Sequence, residues 1–239
     1  MTLKKNTCSP VFCRMTGALA AMLLMFAPMG WARAPLGYDS LDDQELAQLA
    51  AGDVVSDVWR DKSRTDGAID AFAAVEISAS AQQVWAVMTS CEKTLEVVRE
   101  MKSCTVLERA PDGSWDMREQ VFAAPFPVPN LRTLFRTDFT PLQNIKITGA
   151  GGDMKIQEGL WKIMPLKGGA GDMPRVRVTY RATVLPKLPV PRFLLRRAVR
   201  KDTPALMAAL RDVTQRLNPV PKLNPVPKTG AAVDSGQQR

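Results

Sequence analysis

Residues 182–217 read ATVLPKLPVPRFLLRRAVRKDTPALMAALRDVTQRL, and the fold follows from how this stretch divides. Its first residues, up to Leu185, finish a strand. Pro186, Pro189 and Pro191 then enforce an extended turn, because proline fixes φ and has no amide to give a ladder. Beyond the turn, Leu195, Val199, Leu206, Leu210, Val213 and Leu217 step by 4, 7, 4, 3 and 4, which is one face of an amphipathic helix. Asp202-Thr203-Pro204 interrupts it and predicts a kink, or a fresh start with Thr203 as N-cap and Pro204 at the first helical position. The strands upstream are too short to close a core alone. The expected architecture is α+β: one curved antiparallel sheet with the long C-terminal helix in its concavity and a pocket between them.

The strand that feeds the helix is the most regular. Between Arg175 and Leu185, Val176, Val178, Tyr180, Ala182 and Val184 alternate with Arg175, Arg177, Thr179, Arg181 and Thr183. One side is therefore buried and the other wet, as an antiparallel sheet covered on one side requires. Further strands are expected at 53–60, 69–78, 105–109, 115–122, 131–139, 144–148 and 159–164. Pro111-Asp112-Gly113 marks one turn. Gly149-x-Gly151-Gly152 and Gly168-Gly169-x-Gly171 read as hairpin turns. They are not phosphate loops, since neither opens a helix nor carries the Lys–Ser/Thr such a loop needs.

Short helices punctuate the N-terminal half. Residues 40–51 form one, with Asp42 and Asp43 in its first turn and Gly52 just past its end. Ser80 with Gln83 is a capping box that starts a second. Ser90 caps a third, in which Cys91, Leu95 and Val98 share a face. Cys91 then points toward the strand that contains Cys104. These two cysteines read as a disulfide between helix pair and sheet, with two buried thiols as the other option.

Composition sets limits. The chain has 239 residues and no histidine, which removes histidine acid–base chemistry, Ser–His and Cys–His pairs, and His-containing metal sites. No metal site and no cofactor are expected. Net charge is +8, but residues 1–34 hold Lys4, Lys5, Arg14 and Arg33 without an acid, leaving 28 basic against 24 acidic residues. That segment has the pattern of a signal peptide: a basic start, the apolar run 15–27, and a small-x-small site that places cleavage near Ala32 or Ala34. Read alternatively, 15–32 is a retained anchor of 18 uncharged residues, barely long enough to span. The expected compartment is periplasmic or extracellular. Expected boundaries are 1–34 for the signal, 35–67 for an N-terminal extension, 68–217 for the main domain and 218–239 for a tail. The tail repeats LNPVPK at 217–222 and 223–228 and reads as disordered and polyproline-like.

The order strand, two short helices, several strands and long C-terminal helix is the helix-grip arrangement. Ala74-Val75-Glu76-Ile77 leading into Ala81-Gln82-Gln83-Val84-Trp85, the Gly159-Leu160-Trp161 strand start, and Tyr180 ahead of Leu188-Pro189-Val190-Pro191 carry a likeness. In these the chain resembles the START-like (SRPBCC) superfamily. It is most similar to the secreted bacterial branch grouped with polyketide cyclases and coenzyme Q-binding START-like proteins. The resemblance implies a deep apolar cavity between sheet and helix for a lipid, quinone, sterol or polyketide-like molecule.

Four groups of residues are candidates for function. Phe135, Phe139, Trp161 and Ile163, then Val176, Val178 and Tyr180, then Val199, Leu206 and Leu210 on the helix can line a pocket. Tyr180 is the best polar group among them, because a buried hydroxyl needs a partner. The loop 123–130 (AAPFPVPN) presents Phe126 and Val128 as a gate at the cavity mouth. Arg192, Arg196, Arg197, Arg200 and Lys201 form a basic run suited to an anionic membrane surface. Glu119, Arg118, Asp138, Arg136 and Tyr180 are the groups that acid–base catalysis would use. The expectation is a monomeric, exported binder or carrier of a hydrophobic small molecule, with no nucleic-acid partner. A cyclase- or aromatase-like enzyme and an interaction module tethered by the tail are the alternatives.

Overall fold

A computed structural model describes residues 41–123, 129–167 and 173–219. Among the described residues the eight strands are β1 (Val55–Trp59), β2 (Ile69–Ile77), β3 (Met101–Arg109), β4 (Trp115–Phe122), β5 (Leu131–Thr140), β6 (Asn144–Gly152), β7 (Met154–Leu166) and β8 (Arg175–Pro186). They form one antiparallel sheet in the order β1-β2-β8-β7-β6-β5-β4-β3. The helices are α1 (Asp43–Ala50), α2 (Ala81–Met88), α3 (Cys91–Val97) and α4 (Arg192–Leu217). The expected α+β helix-grip arrangement is what the chain adopts.

Local chemistry starts each short helix. Ser80 accepts the Gln83 amide while Gln83 accepts the Ser80 amide at 2.8 Å, the reciprocal cap that opens α2. Ser90 accepts from the Lys93 amide and opens α3. In α1 the cap is Asp42 itself, paired reciprocally with Glu45, so Asp42 lies just outside the first turn rather than in it. Gly52 follows α1 at φ 95°.

Strand β2 is buried along its whole length. Its odd residues Ala73, Val75 and Ile77 pack with Val176 and Val178 of β8 and with Met207, Leu210 and Val213 of α4. Its even residues Phe72 and Ala74 pack on the opposite side against Leu49 of α1 and Val55 of β1. The charged residues on that outer side are paired. Glu76 accepts from Arg175 and Arg177, and Asp70 accepts from the Thr183 hydroxyl at 2.7 Å. Helix α4 thus lies over the β1–β2–β8 end of the sheet.

Several boundaries differ from the sequence reading. Strand β3 begins at Met101, four residues early, and β7 at Met154, five residues early, because their polar first halves still pair with neighbours. Strand β6 runs through its glycines, so the turn lies at Asp153 rather than in the Gly149–Gly152 segment. Gly152 has φ 73° and a side chain there would collide with the Arg132 carbonyl, so a tight approach to β5 requires glycine. Helix α4 continues through Pro204 without a fresh start. Thr203 is buried inside the helix, filling the seven-residue gap between Val199 and Leu206. Met207 is fully enclosed on the core face, whereas Leu217 is 42% exposed beside Gln82 and Ala86. The glycines at 168–171 fall outside the described residues.

Cys91 and Cys104 form a disulfide that ties α3 to β3 across a 5.3 Å Cα separation. Among the described residues no helix is long and apolar enough to cross a membrane.

The helix face gives a direct test. Met207→Ala should cost about 2–5 kcal/mol in urea unfolding, the cost of emptying a core site. Leu217→Ala should stay within about 0.5 kcal/mol. Equal losses would mean that α4 is rotated from the face described here.

Candidate functional site

The pairing register fixes which side chains face α4. In β8 these are Val176, Val178, Tyr180, Ala182 and Val184, directly opposite the odd residues of β2. Across β7 the same side holds Ile163 and Trp161, since Ile163 pairs with Val178 and Trp161 with Tyr180. Continuing through β6, Ile145 pairs with Trp161 and Phe139, and Ile147 pairs with Gly159 and Thr137. The pocket candidates Phe135, Phe139, Trp161, Ile163, Val176, Val178 and Tyr180 therefore share the concave face. Val199, Leu206 and Leu210 meet that face from α4.

Burial divides this group. Ile163, Val176, Val178 and Leu210 are closed into the core. Trp161, Tyr180 and Phe139 keep accessible surface. Trp161 and Tyr180 stack with centroids 4.1 Å apart, and Trp85 of α2 meets the Phe139 ring edge-on at 5.9 Å. The Tyr180 ring also leans over Gly159, where an added side-chain carbon would touch it at 3.4 Å. Burial pushes the Tyr180 hydroxyl up to about 12.

The far half of the concave face is polar. On β4 the inward residues are Asp116, Arg118 and Gln120, all buried, while Trp115, Met117 and Glu119 face out. Arg118 donates through Nε to Asp116 Oδ1 and through Nη2 to Asp116 Oδ2, both at 2.8 Å. Its Nη2 also donates to the Thr89 carbonyl at 2.8 Å, pinning β4 to the end of α2. Opposite these, on β5, stand Thr137 (paired with Asp116) and Thr133 (paired with Gln120). Sequence reasoning missed this wall. Its only local signal was the run of Asp, Arg and Gln at alternate positions of β4.

The groups weighed for catalysis do not converge. Arg118 and Tyr180 face inward. Glu119 faces out and pairs with Arg132, and Asp138 faces out and pairs with Arg136 at 2.7 Å. Arg136 also lies over the Trp115 ring on that outer side, 4.4 Å from its centroid.

The basic run is split by its contacts. The Arg192 guanidinium lies 3.2 Å from where a side chain on Gly67 would stand, and Arg196 donates to the Val58 carbonyl at 3.4 Å. Arg197, Arg200 and Lys201 are exposed, and so are Val190, Phe193 and Leu194 just before them. Phe193 is 72% exposed. Phe126 and Val128 of the gate loop lie outside the described residues.

A sheet curved around a C-terminal helix, with an aromatic and polar concave wall, defines a helix-grip domain. The family described as polyketide cyclase / dehydrase and lipid transport matches residues 77–211, and the chain belongs to it. No curated protein matches the chain. Among solved structures, it is similar to a STAR-related lipid transfer protein from Xanthomonas axonopodis. Identity is 15% over 68% of this chain and 93% of that one, with a TM-score of 0.57. It is similar to a START superfamily protein from Mycobacterium smegmatis at 20% identity, covering 70% and 99%, with a TM-score of 0.50. An aromatase/cyclase from a Streptomyces species matches at 14% identity, covering 64% and 97%, with a TM-score of 0.51. At these identities the solved structures share the START-like fold with this chain.

Two tyrosines, Tyr38 and Tyr180, make the wall testable by ultraviolet titration. The Tyr180 step should come near pH 12 and disappear in Tyr180→Phe. A Tyr180 step at the ordinary value of about 10 would place that hydroxyl in water.

Proposed function

We propose that the chain is an exported carrier that binds a hydrophobic small molecule against its concave face and exchanges it at anionic membrane surfaces. The carrying observation is the aromatic wall. Trp161, Tyr180 and Phe139 share the concave face and retain accessible surface there, as residues lining a ligand space do. The family's own description includes lipid transport, and the Xanthomonas relative is described as a lipid transfer protein. Carriage is favoured over catalysis because Glu119 and Asp138 face away from the wall and Asp116 is engaged by Arg118. Export is supported by the basic start, apolar run and small-residue site of 1–34, and by the disulfide.

Membrane exchange is supported by the start of α4. Phe193, Arg197, Arg200 and Lys201 follow one another at i, i+4, i+7 and i+8, so an apolar tip and a basic band share one exposed stripe. Leu194 and Val190 widen the tip. An apolar side chain suits the acyl boundary, and a cation near an anionic surface contributes about 1 kcal/mol.

Organic extraction and native mass spectrometry of protein purified from its own envelope fraction should reveal a bound apolar compound. Protein that stays empty and takes up no apolar probe would refute carriage. On phosphatidylglycerol vesicles, exchange of Arg197, Arg200 and Lys201 to Gln should weaken binding about fivefold or more per charge, an effect lost in high salt. Phe193→Ser should weaken binding at both low and high salt. Salt-insensitive binding by the unaltered protein would rule out electrostatic docking.

A further inference from the structure

We propose that the open edge of β3 pairs antiparallel with β3 of a second copy of this chain, about a two-fold axis at Thr105. This surface lies apart from the concave wall, and the proposal is independent of any ligand.

The first observation is an edge without a neighbour. β3 ends the sheet, and among the described residues it pairs only with β4. Unpaired amides and carbonyls on an exposed edge are a template for another strand. The hydrogen bonds fix which residues carry them. The Ala110 amide donates to the Trp115 carbonyl at 2.9 Å, so Trp115 turns its backbone groups to β3. By alternation Met117, Glu119 and Val121 do the same. Their partners Glu108, Thr105 and Ser103 therefore turn theirs to β4. At the other end, the Glu100 carbonyl accepts from the Ala123 amide at 2.7 Å. The backbone groups at the open edge belong to Met101, Cys104, Val106 and Arg109.

The second observation is that this set is self-complementary. Along a regular strand, outward groups recur at every second residue. Irregularities between Met101 and Ser103 and between Val106 and Glu108 widen the two outer intervals to three. The spacing three, two, three reads the same from both ends, and its centre is Thr105. A regular strand matches only the middle interval, whereas β3 of a second copy, reversed about Thr105, matches all of them. Cys104 of one copy then stands opposite Val106 of the other, and Met101 opposite Arg109. The Met101 amide is turned back to the Val98 carbonyl at 3.1 Å, which leaves the Met101 carbonyl to accept from Arg109.

The third observation is charge. The same reversal sets Lys102 of each copy opposite Glu108 of the other. Both side chains are exposed, and neither has an ion-pair partner among the described residues. Leu107, 53% exposed, comes opposite Ser103 of the second copy. Helix α3 leaves room for the contact. It runs from Cys91, bonded to Cys104, back to Val98 beside Met101, so it accompanies only the first half of β3. The two α3 helices fall on either side of the axis.

The test is sedimentation equilibrium on the chain beyond residue 34. A dimer should grow in over about a hundredfold range of protein concentration. Lys102→Glu or Glu108→Lys should each weaken it about tenfold or more, because like charges then face each other at both ends. Mixing the two variants, or combining both changes in one chain, should restore pairing, which a folding defect would not. Thr105 meets its own copy at a position without hydrogen bonds, where Cα atoms lie about 4.5 Å apart. Thr105→Cys should therefore cross-link to itself under mild oxidation, and Leu107→Cys should not. A chain that stays monomeric over that range, or a dimer that neither charge reversal weakens, overturns the proposal. So does a Thr105→Cys variant that cross-links no better than Leu107→Cys. None of these outcomes bears on the carrier reading.

Discussion

The fold depends on one strand being covered on both sides. β2 lies between β1 and β8, and every one of its residues is buried. α4 closes its inner side with Met207, Leu210 and Val213, and α1 closes its outer side with Leu49. A strand in that position must either be wholly apolar or pair whatever charges it keeps. β2 keeps Asp70 and Glu76, and β8 supplies Thr183 and Arg177 to them as direct cross-strand neighbours and Arg175 to Glu76 from a diagonal position. The arginines that alternate along β8 are therefore more than a solvated face. They hold the register that aims Tyr180 and Val178 at the helix.

Because α4 is committed to the β1–β2–β8 end, its apolar stripe cannot also cover β4 and β5. That half of the concave face is covered from another direction, by α2 and α3. Trp85 meets Phe139, the Thr89 carbonyl holds Arg118, and Cys91 is bonded to Cys104. The two halves consequently differ in chemistry. Under α4 the wall is Val, Ile and Ala at crystal-like packing, where one lost methylene is felt. Under α2 and α3 it is Asp, Arg, Gln and Thr, where the stability of the fold rests on hydrogen bonds that are satisfied or waiting to be. A buried ion pair such as Asp116–Arg118 is weak evidence for stability, since apolar residues of equal volume often do as well.

The half of the structure governed by hydrophobic period was legible in the sequence. The alternation in 175–185 gives β8 its direction, and the Leu195–Val213 spacing gives α4 its face. The Ser80–Gln83 pair fixed the start of α2 because capping is local chemistry. The same logic misplaces β4. Trp115, Met117 and Val121 are its apolar set and would be turned inward by periodicity, yet Asp116, Arg118 and Gln120 are the buried ones. Register decides this, and register is set from outside the strand. Cys104 faces inward to reach Cys91, and Gln120 stands opposite Cys104. Irregularities in the β3–β4 pairing, between Met101 and Ser103 and between Val106 and Glu108, shift the alignment by steps no propensity reveals. A one-residue slip exchanges the two faces of a strand.

The same dependence explains why Pro204 misled. A proline inside a helix removes one amide donor and crowds the carbonyl four residues earlier, which argues for a break. In α4 the carbonyl that loses its donor belongs to Arg200, an exposed position where water can replace the missing bond. Thr203 is held in the core one residue before the proline, and Met207 is locked there one turn beyond it. The cost of proline is thus borne on the wet side, while packing on the dry side keeps the helix continuous. Continuity joins the exposed Phe193–Lys201 stripe rigidly to the residues that cover β2, so one end of α4 is mechanically coupled to the wall at the other.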